Sequence, residues 1–540
     1  MHESYASVWE AAGDVVPDAV AVVQGKRRLT WHEFDERAAR FAGALAAQGF
    51  GPDTHVALYT TNCPEYLEAH FGAMKLRAVP APVNFRYRAA ELAYLLENAD
   101  AKVLVYHRSL GERVEEAREH APLLQLLIEV DDGSDAPRLD GAIEYEAFIG
   151  AHQPLLRVAR SGDDFMLWYT GGTTGLPKGV IWHQEALLNA GLAMGCQVLG
   201  VSVPKGLADL SELVRALHAD GRAPVALSAT PLVHATALYQ ANSALLLGGR
   251  VVMLERHPLD GDEVCELIER ERITIFAVIG DTVARRVVKA LEHAEANGTP
   301  YDISSVRRIH NSGAMASGPV KDALLARGTM TFYDALGSSE GTGYGAWLAT
   351  APGEGTTARF RPGPLTKILT PDGDDAPPGE AGMLATTGAI AIAYYKDPER
   401  SAQVFRTIDG RPYVVNGDWG RFEADGTITL LGRGSGCINT GGEKVWPEEV
   451  EESLKQHPRV VDAAVVGVPD DTWGETVGAV VSLTDGPEVE TTAISEWVAE
   501  RLAGYKRPRR VAIVDEVRRT TVSKVDLDWA RAVLTSQVGA

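Results

Sequence analysis

Tyr169-Thr-Gly-Gly-Thr-Thr-Gly-Leu-Pro-Lys-Gly-Val180 is the stretch on which the reading of this chain turns. It follows the apolar run Phe165-Met-Leu-Trp168, which reads as a strand ending at a glycine-rich loop. Glycines admit positive φ and let backbone approach a ligand closely. Gly171 and Gly172 therefore expose successive N–H groups as a concave anion site, and the hydroxyls of Thr170, Thr173 and Thr174 add donors. Lys178, held near the edge by Pro177, supplies a mobile positive charge. The chemistry is that of a phosphate cradle. It is not the G-x-x-x-x-G-K-[ST] loop, because Pro-Lys-Gly stands where Gly-Lys-Ser/Thr is required.

At 540 residues the chain exceeds what one hydrophobic core holds, so two or more domains are expected. The net charge of −21 weighs against binding to nucleic acid or anionic membrane surfaces. No apolar run reaches the roughly 18 residues of a transmembrane helix. The N-terminus, Met1-His-Glu-Ser-Tyr5, lacks the basic and apolar regions of a signal peptide. Cys63, Cys196, Cys265 and Cys437 show neither metal-ligand spacing nor a disulfide framework. A cytoplasmic protein is expected.

Around the glycine loop, strands alternate with helices. Thr30 caps a helix over 31–48, and strands at 55–59, 79–83 and 102–106 enclose helices at 64–75 and 89–98. Residues 108–160 read as less regular. Beyond the loop come helices from Gln184, over 207–219, 235–247 and 262–271, and strands at 224–229, 250–254 and 273–278. This alternation implies parallel sheets. Gly-rich Leu430-Leu-Gly-Arg-Gly-Ser-Gly436 marks a boundary near residue 433. A helix at 447–456, strands at 460–468 and 475–483, a helix at 492–503 and a strand at 510–514 then suffice for an α+β module of about 100 residues. The fold class expected is α/β: a large multi-sheet N-terminal domain, 1–432, and a small α+β C-terminal domain, 433–540, joined by a hinge.

Further motifs follow in order. Pro231-Leu-Val-His234 opens a helix, and Gly313-Ala314 sits in the turn of His310-Asn-Ser-Gly-Ala-Met-Ala-Ser317. In Tyr333-Asp-Ala-Leu-Gly-Ser-Ser-Glu340 a carboxylate beside hydroxyls suits Mg²⁺, a hard ion that takes oxygen ligands. Asn416-Gly-Asp418, Leu431-Gly-Arg433, Asn439-Thr-Gly-Gly-Glu-Lys-Val-Trp-Pro-Glu-Glu-Val450, Tyr505-Lys-Arg-Pro508 and Thr521-Val-Ser-Lys524 complete the series. Taken together and in this order, they resemble the adenylate-forming superfamily of acyl-CoA synthetases, peptide-synthetase adenylation domains and luciferases. The stretch 439–450 is most similar to that of actinobacterial ligases for steroid or terpenoid acids.

The resemblance implies roles. Thr170, Gly171, Gly172, Thr173, Thr174 and Lys178 would hold the ATP phosphates. Gly313, Ala314, Ala335, Leu336, Gly337, Ser338 and Ser339 would surround the nucleotide, with Asp334 receiving the adenine amino group and Leu336 replacing the usual stacking aromatic. Glu340 would be the Mg²⁺ ligand, Asp418 would accept the ribose hydroxyls, Arg433 would be a second contact to ribose or phosphate, and Lys524 would be the catalytic lysine. His234, Ala235, Gly313 and Gly337 would bound the acyl pocket, His234 beside the substrate carboxylate. Peptide-synthetase domains carry Asp where this chain has Ala235, so an amino-acid substrate is not expected: its ammonium would be buried unpaired. Ser435 would be the hinge, and Gly441, Gly442, Glu443, Lys444 and Lys506 would meet coenzyme A.

The activity implied is that of an acyl-CoA synthetase, which forms an acyl-AMP from ATP and a hydrophobic small-molecule acid and then a CoA thioester. Small apolar pocket segments at 235–237, 313–316 and 335–337 favour a large fatty, steroid-like or terpenoid acid. An acyl-AMP ligase that loads a carrier protein, a luciferase-like oxygenase and a non-catalytic nucleotide-binding protein stay open as alternatives. A homodimer is expected from family habit alone.

Overall fold

The computed structural model describes residues 1–172, 175–256, 259–356, 358–440, 443–470, 474–487, 489–520 and 525–536. Its largest sheet grows from the alternation legible in the sequence. Val20–Gln24, Arg250–Met253, Val225–Ser228, Ile275–Val278, Arg308–Asn311 and Thr331–Leu336 pair in parallel, in that order. Their mostly buried residues are those of strands with helices on both faces. At Thr331–Leu336 the direction changes. Gly345–Ala349, Arg359–Pro362, Ile428–Arg433, Asp418–Phe422, Gly382–Ala385 and Lys367–Leu369 continue the sheet antiparallel.

A second, wholly parallel sheet runs Val79–Pro82, His55–Tyr59, Ala101–His107, Leu126–Val130, Ala142–Glu144. Here the expectation of irregular chain over 108–160 is corrected. Leu126–Val130 is a buried strand, and its one charged residue, Glu129, accepts hydrogen bonds from Arg108 Nε (2.9 Å) and the Tyr106 hydroxyl (3.3 Å). The helix Trp31–Ala47 begins as expected at Thr30. The Thr30 hydroxyl accepts from the Glu33 N–H while the Glu33 carboxylate accepts from the Thr30 N–H, a reciprocal cap.

The last sheet, with strands Glu443–Val445, Ile438–Thr440, Gly474–Leu483, Val460–Asp470 and Arg510–Val514, shares no strand with the others among the described residues. Helices Pro447–Lys455, Thr491–Ala499 and Leu527–Ser536 pack on it. The Trp446 ring meets Trp419 of the large sheet at 5.4 Å. The whole is α/β, a large multi-sheet unit followed by a small α+β one. Among the described residues, no helix is long and apolar enough to cross a membrane.

One buried ion-pair cluster ties the first helix to the core. The Lys75 ammonium, 3% exposed, lies 2.6 Å from Glu10 Oε1 and 2.7 Å from Asp35 Oδ1, and Arg160 reaches Glu10 at 2.8 Å. Burial alone would raise the Glu10 carboxyl, but Lys75 and Arg160 outweigh it and hold it below its usual range. Lys75→Met strips Glu10 of one partner inside the core. The expected loss is about 3 kcal/mol, read as a lower urea midpoint with an unchanged m-value.

Candidate active site

A cavity of about 600 Å³ opens at the carboxyl ends of the parallel strands, where such sheets bind ligands. One wall is the sheet face, and the opposite wall comes from the helices Gln184–Leu199 and Ala235–Leu246.

Two adjacent strands supply the floor, and their alternation decides what reaches it. In Thr331–Leu336, Tyr333 and Ala335 point into the cavity, whereas Phe332 and Asp334 point into the core behind. The expected contact of Asp334 with adenine is therefore corrected. Its carboxylate accepts from Asn311 Nδ2 at 2.6 Å and pairs with the Lys321 ammonium, which also donates to the Thr356 carbonyl at 2.5 Å. Burial raises the Asp334 carboxyl above its ordinary range despite Lys321. Asp334 acts through Asn311, whose side chain also accepts from the Gly280 N–H (2.8 Å) and donates to the Ala314 carbonyl (3.0 Å). That network sets the 312–316 turn. Gly280, at φ +55°, must be glycine, because a Cβ there would lie 2.6 Å from the Met315 carbonyl oxygen. Ser312 and Gly313 line the cavity, but Ala314 does not. Leu336, Gly337, Ser338 and Ser339 do line it. Ala237 and Ala316, expected at the acyl pocket, are buried in the core.

The strands on either side of residues 173–174 border the cavity through Trp168, Thr170 and Lys178, and here a second expectation is corrected. The strand does not end at Trp168. Phe165–Gly172 pairs antiparallel with Gly175–His183, so the stretch is a β-hairpin rather than a loop. Hairpin pairing gives Gly172 a register partner, Gly175, that the sequence does not show, and Gly171 falls at a shift in the register. Thr173 and Thr174 lie outside the described residues. Thr170 and Lys178 are cross-strand neighbours, and both line the cavity. Ala393–Tyr394 adds a short third strand alongside Val180 and Ile181. The Tyr394 ring lies 5.9 Å from the Lys178 ammonium, and its hydroxyl donates to Glu340 Oε1 at 2.7 Å. The Trp182 indole N–H donates to the Ser339 carbonyl at 2.8 Å, fastening the hairpin to the 338–341 turn. In that turn the Ser338 hydroxyl accepts from the Glu340 and Gly341 N–H groups, each at 3.2 Å. Glu340, 8% exposed, is thereby held at the cavity edge. Tyr394 escaped the sequence reading because a two-residue strand carries no periodicity.

The remaining expected residues divide. Asn416 lines the cavity; its Nδ2 donates to Asp418 Oδ2 at 2.9 Å, and its Oδ1 accepts from the Asp418 N–H at 3.2 Å. Arg433 is the cross-strand partner of Asp418 by backbone register. His234 does not line the cavity. It stands at the N-cap of Ala235–Leu246, its carbonyl accepting from the Ala237 and Leu238 N–H groups (3.0 and 3.1 Å), while Ala235, Thr236 and Tyr239 make the wall. The Lys506 ammonium pairs with Glu449 at 2.5 Å. Ser435 lies in a single 3₁₀ turn, Gly434–Gly436, and Glu443 and Lys444 fall in a strand whose partners are Thr440 and Asn439. Gly441, Gly442 and Lys524 lie outside the described residues.

His310, on the cavity floor, is buried, and desolvation together with nearby Arg308 pushes its pKa down to about 4. The unfolded chain binds a proton near pH 6.5 that the folded chain refuses, so stability is full above that value and falls as pH drops toward 4. Between pH 7 and 5 the native protein should lose about 2 kcal/mol more than His310→Gln, by urea unfolding at both pH values.

This hairpin-bordered cavity on a mixed sheet, with a lysine, a carboxylate and hydroxyls at one end, defines a protein that handles a phosphate-bearing ligand beside an apolar one. The chain belongs to the AMP-binding enzyme family: the AMP-binding enzyme profile matches residues 9–395, and the profile of its C-terminal domain matches 449–524. It is 38% identical to a 3-oxocholest-4-en-26-oate–CoA ligase of Rhodococcus rhodochrous, over 97% of this chain and 95% of that protein. A medium/long-chain-fatty-acid–CoA/3-oxocholest-4-en-26-oate–CoA ligase of Mycobacterium tuberculosis is also 38% identical, with the same coverage. The fold matches the crystal structure of an anthranilate CoA ligase in complex with anthranoyl-AMP. Its TM-score is 0.85 at 22% identity, covering 100% of this chain and 99% of that one.

Proposed function

We propose that the protein is an AMP-forming acid–CoA ligase acting on a large hydrophobic carboxylic acid. The observation that carries this reading is the two-ended cavity. Thr170, Lys178 and Glu340 gather at one end, and Ala190, Ala193, Met194 and Tyr239 wall the other. Polar groups that bind and neutralise phosphates thus sit next to an apolar slot with room for a bulky tail.

In the first half-reaction a carboxylate oxygen attacks the α-phosphorus of ATP, forming acyl-AMP as the bond to pyrophosphate breaks. Lys178 and the hairpin hold the departing phosphates, and Lys524 offsets charge where two anions meet. Glu340 lines the cavity with a carboxylate, the hard oxygen donor that Mg²⁺ prefers, and is the residue that would hold the ion. The ion would supply positive charge to phosphate oxygens. Asp418 and Arg433 take the ribose. In the second half-reaction the unit after about residue 433 turns about Ser435, withdraws Lys524 and brings the 441–444 segment to the acyl-AMP. The CoA thiolate then attacks the acyl carbon and AMP leaves. One cavity thereby serves two reactions through exchange of one wall.

A panel of acids incubated with ATP, Mg²⁺ and free CoA, read by mass spectrometry, tests the reading. Acyl-CoA and AMP are expected from long-chain and polycyclic acids. Preference for acetate or benzoate would overturn the substrate class. Acyl-AMP without acyl-CoA would point instead to a carrier-protein acceptor.

A further inference from the structure

The apolar arm of the cavity does not end in hydrocarbon. Next to it, sharing Met194 and His310 as lining, lies a separate void of about 20 Å³ beneath the helices Gln184–Leu199 and Ala235–Leu246, against the beginnings of the parallel strands. Val198, Leu199, Leu247 and Ile275 supply apolar walls. Beside Ser243 (4% exposed), whose hydroxyl donates to the Tyr239 carbonyl at 2.7 Å, stand three more buried polar side chains: Arg308 (6%), His310 (5%) and Gln240 (4%). Strand alternation places Arg308 and His310 on the cavity face, while Ile309 and Asn311 face the core behind.

These three lack partners that buried polar atoms require. Arg308 Nε and Nη1, Gln240 Nε2 and His310 Nδ1 have no hydrogen-bond partner among the described residues. The Arg308 guanidinium carbon lies over the Tyr333 ring, 4.9 Å from its centroid, a contact that leaves the Nε and Nη1 hydrogens without an acceptor. Burial pulls the Arg308 pKa down, with Tyr333 opposing, and among the described residues no carboxylate acts on it. Each unmade bond of this kind is costly, by roughly 1–3 kcal/mol. Guanidinium and amide N–H groups only donate, so what satisfies them must accept. A void of this size admits about one water-sized group.

We propose that this end of the cavity recognises a carbonyl oxygen carried by the acid at the end remote from its reacting carboxylate, with Arg308 and Gln240 donating to it. The proposal rests on the ligase reading only for which end of the acid reacts. It makes Arg308 a specificity-determining residue rather than part of the adenylation machinery. The remote position follows from the fold: the phosphate corner lies beyond the carboxyl ends of the strands, and Arg308 begins one.

Matched pairs test it: 3-oxocholest-4-en-26-oate against the same acid without its oxo group, and a long-chain fatty acid against its oxo counterpart near the chain end. Binding is measured by calorimetry, and thioester formation is measured in parallel. The oxo member of a pair should bind about tenfold more tightly or better, as a hydrogen bond to a charged donor allows. Arg308→Met should abolish that preference while leaving the affinity for the plain acid within about threefold. Gln240→Leu, which leaves Arg308 in place, should reduce the preference and carries the test should Arg308→Met not fold. Equal affinities for both members in the native protein overturn the proposal, as does an equal loss for both in the variants. Tighter binding of an α,ω-diacid than of the oxo acid also overturns it, in favour of a carboxylate site. A binding preference without any thioester supports this inference while overturning the ligase reading.

Discussion

Lys524→Ala should abolish formation of acyl-AMP, lowering it by at least about 10²-fold, yet leave thioester formation from supplied acyl-AMP within about threefold. The asymmetry follows from where charge gathers. In the first step a carboxylate must approach an anionic phosphate, and without a cation between them the transition state carries uncompensated negative charge. In the second step a thiolate would attack the acyl carbon of a mixed anhydride, with the lysine withdrawn under the proposed exchange of walls. Pyrophosphate release and acyl-CoA formation, assayed separately, check this. If both half-reactions fall together, the lysine is structural and the two-step exchange of walls is wrong.

Glu340→Gln is the second large effect expected. Gln is close in shape, its side-chain oxygen still accepts from the Tyr394 hydroxyl (2.7 Å in the native protein), and the Ser338 turn is held by backbone N–H groups that do not depend on the carboxylate. Only the negative charge is lost. Turnover should fall by about 10²-fold or more, and the Mg²⁺ concentration for half-maximal rate should rise, since a hard divalent ion holds an amide oxygen less well than a carboxylate. The urea midpoint should move little. Native-like turnover with an unchanged Mg²⁺ requirement would remove Glu340 from the metal.

Much of the frame was readable because local signals agreed. The strand His55–Tyr59 and the helices Pro64–Lys75, Ala89–Asn98 and Leu207–Ala219 fall on the bounds expected from periodicity and caps. The antiparallel half of the large sheet was not readable. Its strands are short, half-buried and joined across long intervals, as where Arg359–Pro362 pairs with Ile428–Arg433. Glycine composition drew the eye to a segment of which Thr170 and Lys178 line the cavity, but glycine permits a loop and a hairpin alike. Only the pairing partner settles which.

The sequence by itself determined the family, the order of the motifs and the α/β alternation, because each is carried by residues close together along the chain. Tertiary structure alone decided which of those residues face the ligand. Asp334 sits inside a recognised motif yet points away from the cavity, since a strand has two faces and the covering elements choose between them. Tyr394 reaches Glu340 from 54 residues away, and Asn311 reaches Gly280 from 31. Arg308 belongs to no motif. Its meaning comes from what surrounds it: apolar walls, a single aromatic face, and donors with nothing to accept from them. An unsatisfied buried group is a property of packing, so no reading of the chain in one dimension shows it.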